Sequence, residues 1–160
     1  MDTNSTLAKL KQQFPQAVIE THEYRGDATA IVKKEHILPI CRFLRDDPEQ
    51  AYNFMIDLTA VDYMGKEPRF EVVYHLYSLS RNERLRIKSG VPESDCTIDS
   101  IVPIWIAADW FERETFDLYG IVFKGHPNLK RILLYEGFKG HPLRKDYPIR
   151  QRQPLIGPDN

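Results

Sequence analysis

Only two cysteines occur in the chain, Cys41 and Cys96, and they lie far apart. A CxxC redox motif, a zinc finger and an iron–sulfur cluster therefore lack their ligands, and both thiols read as small buried hydrophobes. Charge of either sign is not in excess: 22 basic side chains face 23 acidic ones, for a formal net charge of −1. No broad positive field exists to hold phosphate backbones or anionic lipid, so nucleic-acid binding is excluded as a general function. No apolar run approaches the roughly 18 residues of a membrane span, and no basic, then apolar leader opens the sequence. The expected compartment is the reduced cytoplasm. GxGxxG, GxxxxGK[ST] and GxSxG are all missing, and none of the five histidines sits in HExxH spacing. Dinucleotide, nucleoside-triphosphate, serine-hydrolase and zinc-peptidase readings thus have no sequence mark. There are no internal repeats.

What is present is globular composition. Of 160 residues, 42% are hydrophobic and 28% charged, which suits one domain able to bury roughly 70% of the surface its unfolded chain exposes. Ser5-Thr6 can cap a short helix carrying Leu7, Leu10 and Phe14, stopped by Pro15. Period-two runs at 18–24 and 29–33 flank Arg25-Gly26-Asp27 and predict a hairpin. Ile37, Ile40, Cys41 and Leu44 mark one face of a helix. Tyr52, Phe54, Ile56 and Leu58 alternate, as do Phe70, Val72, Tyr74 and Leu76, and then Leu85 and Ile87. Residues 52–89 therefore predict an antiparallel meander with these side chains inward.

Residues 100–105 suit a helical turn, and 107–119 a longer helix ended by Gly120 in the left-handed conformation. Beyond Gly120 periodicity fades. Five of the eight glycines and five of the eleven prolines fall in the last 41 residues, which predicts an extended, turn-punctuated segment instead of another layer. The expected fold is α+β: a mixed, largely antiparallel sheet covered by helices. Its expected division is a core domain over 1–119 and an interaction segment and tail over 120–160.

Asp109, Arg113 and Asp117 are spaced i,i+4, so Arg113 is expected to be clamped between two carboxylates on one helix face, with Glu112 and Glu114 on other faces. Gly-His-Pro occurs twice, at His126 and His141; two turns reusing one solution explain this better than a metal site does.

Residues 112–133, containing Glu112-Arg113-Glu114-Thr115-Phe116-Asp117-Leu118-Tyr119-Gly120 and Gly125-His126-Pro127-Asn128-Leu129, closely resemble the hallmark of one protein family. Gly140-His141-Pro142-Leu143-Arg144-Lys145-Asp146-Tyr147-Pro148 resembles its closing motif. Phe54-Met55-Ile56-Asp57-Leu58-Thr59-Ala60-Val61-Asp62-Tyr63 and Tyr74-His75-Leu76-Tyr77-Ser78-Leu79 resemble its central strands. The family is that of the 30-kDa subunit of the proton-pumping NADH:quinone oxidoreductase, respiratory complex I. Phe138 stands where that family often has tryptophan, which keeps an aromatic anchor and loses an indole N–H.

The resemblance implies a non-catalytic assembly subunit of the hydrophilic arm, supporting electron transfer from NADH to quinone coupled to proton translocation. It implies no catalytic, cofactor or metal residues on this chain, with flavin and iron–sulfur clusters on partner subunits. It also implies contacts with subunits D and B, and a peripheral place on the cytoplasmic side of a bacterial inner membrane, reached only through the complex. Related plastid-type or hydrogenase-like complexes carry equivalent chains; an autonomous small enzyme or flavin domain built on the C-terminal histidines and carboxylates is the competing reading. The expected partner interface takes Arg113, Glu114 and Asp117 from the helix, and Phe123, His126, Leu129 and Arg131 from the chain after it. Phe138, Arg144, Lys145 and Asp146 complete it. Arg113 and the Arg144-Lys145-Asp146 cluster are expected to serve assembly, leaving the free domain's melting near normal.

Overall fold

The computed structural model describes residues 3–150, 152 and 153. Most of the tail expected to continue the interaction segment thus lies outside the described residues.

Helix α1 runs Thr3–Gln13 and buries Leu7 and Leu10. Ser5 and Thr6 lie inside it, and the buried Thr6 hydroxyl meets Tyr52 Oη at 3.4 Å. Strands β1 (Val18–Tyr24) and β2 (Asp27–Val32) form the expected hairpin, tightened to a two-residue turn. Arg25 and Gly26 both take positive φ, 54° and 85°, the twist that lets two strands pair closely, and Asp27 is released to begin β2. Helix α2 (Ile37–Asp46) buries Ile37, Ile40, Cys41 and Leu44, the stripe its spacing predicts. Each large aliphatic side chain so buried contributes about 1.5–3 kcal/mol.

Strands β3 (Phe54–Asp62), β4 (Phe70–Ser78) and β5 (Glu83–Val91) make the meander. The sheet order is β1-β2-β5-β4-β3, and the β2–β5 seam is parallel, with Ala28 opposite Leu85 and Ala30 opposite Ile87. On the covered face, β2 contributes Ala28, Ala30 and Val32; β4 contributes Phe70, Val72, Tyr74 and Leu76; β5 contributes Leu85 and Ile87. They pack with the apolar stripes of α1 and α2 in one core. On the other face long charged side chains lie over the strands, with Lys88 paired to Glu71 at 2.9 Å and Arg86 to Asp27 at 3.4 Å.

One phase is corrected. Phe54 and Ile56 are exposed, whereas Met55 points inward. The pairing register of β3 with β4 slips between Met55 and Asp57, so a bulge inserts one residue and switches which face the preceding side chains occupy. A second small sheet, β6 (Thr97–Asp99) paired in parallel with β7 (Val122–Lys124), also differs from the expectation of no further sheet. It buries Ile98 and Phe123 opposite each other. Three-residue strands are too short to carry a period. Residues 101–105 form the expected helical turn, closed by Ile104 N–H and Trp105 N–H to the Ile101 carbonyl. Helix α3 (Ala108–Tyr119) follows and packs on β3, ending at Gly120 with φ 75°.

Candidate partner interface

Helix α3 turns Ala108, Glu112 and Thr115 inward, one and two turns apart. Its last carbonyls have no intrahelical donors, and the segment after β7, here called the strap, supplies them. Leu143 N–H donates to the Leu118 carbonyl at 3.1 Å, and Arg144 Nε to the Tyr119 carbonyl at 2.6 Å. The His141 Nδ1 lies 2.9 Å from the Asp117 carbonyl, so Nδ1 carries the hydrogen. Helix α3 has no basic residue in its own last turn; Arg131 and Arg144 of the strap bring positive charge to its negative end. Arg144 also stacks over Phe70, 5.0 Å from the ring centre.

Asp117 is the centre of this clasp. It is buried beneath the strap. Its Oδ1 accepts from Arg131 Nη1 at 2.8 Å, and its Oδ2 accepts the backbone N–H groups of Ile132, Leu133 and Leu134 at 3.0, 2.9 and 2.9 Å. Burial alone would push this carboxyl group up, but the three amides and Arg131 outweigh it and hold it below the usual carboxylate range. The expected Asp109–Arg113–Asp117 ladder is thereby corrected. Arg113 keeps Asp109 at 4.0 Å, donates to the Lys130 carbonyl at 3.1 Å and stacks over Trp110.

A second clasp sits at the far end of the strap. Arg69, almost fully buried, holds Asp62 through Nε and Nη2 at 3.0 and 2.9 Å, Glu93 at 2.6 Å and Asp146 at 2.8 and 3.0 Å. The Lys145 N–H completes Asp62 at 2.8 Å. Arg69 holds both Asp62 and Asp146 below the ordinary carboxylate range. Sequence reasoning missed Arg69 and Asp62 entirely, because no spacing joins them to residue 146.

The two Gly-His-Pro turns reuse one device. The His126 ring is buried, with Nδ1 accepting the Asn128 N–H at 3.0 Å and Nε2 facing the Asp109 carbonyl at 3.2 Å. His126 and His141 thus each tie a loop to a carbonyl of α3. Burial, followed by the nearby arginines, lowers the pKa of His141.

Of the expected interface residues, Asp117 and Phe123 face inward, and His126, Arg131 and Arg144 are engaged within the chain. Glu114, Lys145 and Asp146 are exposed; Arg113, Leu129 and Phe138 are half-buried. Phe138 stacks on Tyr147, with ring centres 6.2 Å apart. Among the large apolar side chains left outward in α3, the turn before it and the strap are Ile106 at 82% exposure, Trp110 at 63% and Leu133 at 60%, with Leu143 and Ile149 also exposed. Trp110 lies under Arg113, and Ile106 stands four residues before Trp110, in the turn that leads into α3.

Among the described residues, no group of three or more His, Cys, Asp or Glu side chains could hold a metal ion. Burial pushes both thiols up, away from the reactive thiolate. No helix among the described residues is long and apolar enough to cross a membrane.

Residues 30–153 match the family described as respiratory-chain NADH dehydrogenase, 30 Kd subunit. The C subunit of the NADH-quinone oxidoreductase of Citrifermentans bemidjiense is 51% identical over 158 residues, covering 98% of this chain and 97% of that one. Its counterpart in Geotalea uraniireducens is 48% identical over 158 residues, covering 98% and 95%. Among solved structures, the trypsin-resistant fragment (1-134) of Nqo5 superposes with a TM-score of 0.68 at 27% identity, covering 81% of this chain and 100% of that fragment. A chain of the membrane-bound sulfane sulfur reductase, an archaeal respiratory membrane complex, shares the fold with a TM-score of 0.76 at 24% identity, covering 92% and 86%.

Proposed function

Since this chain belongs to the respiratory-chain NADH dehydrogenase 30 kDa subunit family, we propose that it works by binding and positioning neighbouring subunits. It is a C-type subunit of NADH-quinone oxidoreductase, placed in the peripheral arm of that complex. Its polar side chains are spent on the fold: the residues that look most chemical in the sequence, Asp117, His126, His141 and Arg144, hold the strap onto α3. The observation that carries the reading is the contrast between these polar side chains, engaged within the chain, and the apolar side chains left outward at Ile106, Trp110 and Leu133. Exposed aromatic and aliphatic side chains beside arginine suit a desolvated contact with another protein.

The flavin and iron–sulfur clusters of the electron path belong, in this reading, to partner subunits. The neighbours are subunits D and B, and the chain reaches the cytoplasmic face of the bacterial inner membrane through them. The test is affinity purification of the tagged full chain from detergent-solubilised membranes of its own host. NADH:quinone activity, flavin and iron–sulfur absorbance should all co-purify with it, while the same chain expressed alone should be colourless. A stoichiometric chromophore on the isolated chain, or recovery without other subunits, would contradict the proposal.

A further inference from the structure

Glu112 is fully buried on the inward stripe of α3, and no cation answers it among the described residues. Its Oε1 accepts the Ile101 N–H at 2.7 Å, with the Ser100 hydroxyl also bonded to the carboxyl group; its Oε2 has no hydrogen-bond partner. The groups that face it come from several elements. Asp109 lies on its own helix; Cys41 of α2 and Tyr74 of β4 are buried within electrostatic reach, and Asp99 of β6 acts on Tyr74 from beyond. The Tyr74 hydroxyl is itself buried without a partner. Every one of these groups is neutral or acidic. An ionised carboxylate here would leave one oxygen bare in an apolar site, a costly state for which the remedies are to keep the proton or to open the structure to water.

We propose that Glu112 is a proton-dependent latch: protonated, it lets α3 and residues 100–106 stay packed over its unpartnered Oε2, and ionised, that bare oxygen draws in water and loosens the segment against the hold of the Ile101 N–H. The inference stands on the fold and does not depend on what covers Ile106. Burial pushes the Glu112 carboxyl up to about 7, against the ordinary glutamate value of 4.5, so the switch lies at neutral pH. The sign follows from linkage. The folded chain holds this proton more tightly than the unfolded chain, so the latch's contribution is complete below pH 4.5 and is lost as pH rises through 7. Between those values the folding constant loses up to about tenfold per pH unit from this group. His75 and His141, whose pKa values are lowered, pull the other way over part of the same range, so the comparison must be between the native chain and Glu112→Gln.

In the full-length chain, urea unfolding from pH 5 to 8 should show the ratio of folding constants, native over Glu112→Gln, falling by up to about tenfold per unit below pH 7 and levelling off above it. Exchange of the Ile101 N–H, corrected for intrinsic base catalysis, should accelerate through pH 7 in the native chain and not in the variant. Parallel pH profiles for the two proteins would overturn the latch. If Glu112→Gln does not fold, carbon-13 NMR of the native Glu112 carboxyl group decides. A midpoint near 7 accompanied by faster Ile101 exchange supports the latch, and one in the ordinary carboxylate range refutes it.

Discussion

Arg69 and Asp146, 77 positions apart in the sequence, meet through two hydrogen bonds of 2.8 and 3.0 Å. Arg69 immediately precedes β4 and is almost fully buried; Asp146 lies near the end of the strap and is half-exposed. The pair is therefore unequal, because the arginine is also the sole cation bonded to buried Asp62 among the described residues.

Removing the two partners should give different results. Arg69→Gln strands the Asp62 carboxylate and should cost about 3–5 kcal/mol of stability. Asp146→Asn leaves Arg69 bonded to Asp62 and Glu93 and should cost about 1 kcal/mol or less. Urea midpoints of the full chain measure both, and similar losses would show that the clasp does not rank its partners as the burial does.

Acid should release the strap before it unfolds the helices. Asp62, Asp117 and Asp146 all titrate below the ordinary carboxylate range in the folded chain, so their stabilisation is present above that range and is lost as pH falls beneath it. Lowering the pH from 5 to 2.5 should raise amide exchange at Ile132, Leu133 and Leu134, after correction for intrinsic rates, ahead of any fall in helical circular dichroism. Simultaneous loss of both signals would place these carboxylates in one cooperative unit with the core.

Gly120 faces two constraints at once. Its φ of 75° disfavours any side chain, and a Cβ there would lie 2.5 Å from His141 Nε2 and 2.9 Å from Arg144 Nη2. Gly120→Val should cost well over 1 kcal/mol and expose the Leu143 N–H to exchange, since the residues displaced are those that cap α3. An unchanged unfolding midpoint would contradict the cap.

Ile106→Ser combined with Trp110→Ser tests the outer surface. Both side chains are exposed, so the free chain should melt within about 0.5 kcal/mol of the native protein. Recovery of intact complex from membranes should fall several-fold. Full recovery with both substitutions would remove this patch from the interface.

What the sequence made legible were features held by local rules. The α2 stripe and the meander follow from side-chain period, and Gly120 from the demand of a helix end for a left-handed residue. The phase of β3 is not legible before Asp57, because an inserted residue leaves no mark in a run where both faces carry apolar side chains. Arg113 and Asp117 do have the spacing of an ion pair. Asp117 lies beneath the strap, however, and four donors from residues 131–134 reach it instead. Arg144 likewise takes part in the domain's own packing, through its bond to the Tyr119 carbonyl and its contact with Phe70, which no spacing along the chain announces. The burial of Glu112 is equally hidden, because spacing along α3 alone does not say that an acidic side chain is facing the sheet.

The parallel seam between β2 and β5 orders events during synthesis. The β1–β2 hairpin is complete once residue 32 has emerged, yet the second edge of β2 has no partner until β5 appears. At about 5–20 residues per second, the roughly 50 intervening residues leave that edge, lined by Ala28, Ala30 and Val32, bare for several seconds. A growing chain at this stage exposes unpaired backbone groups of the kind that recruit stray strands. The interval closes when Leu85 and Ile87 arrive opposite Ala28 and Ala30, so a pause in translation between these segments lengthens the aggregation-prone window without altering the finished fold.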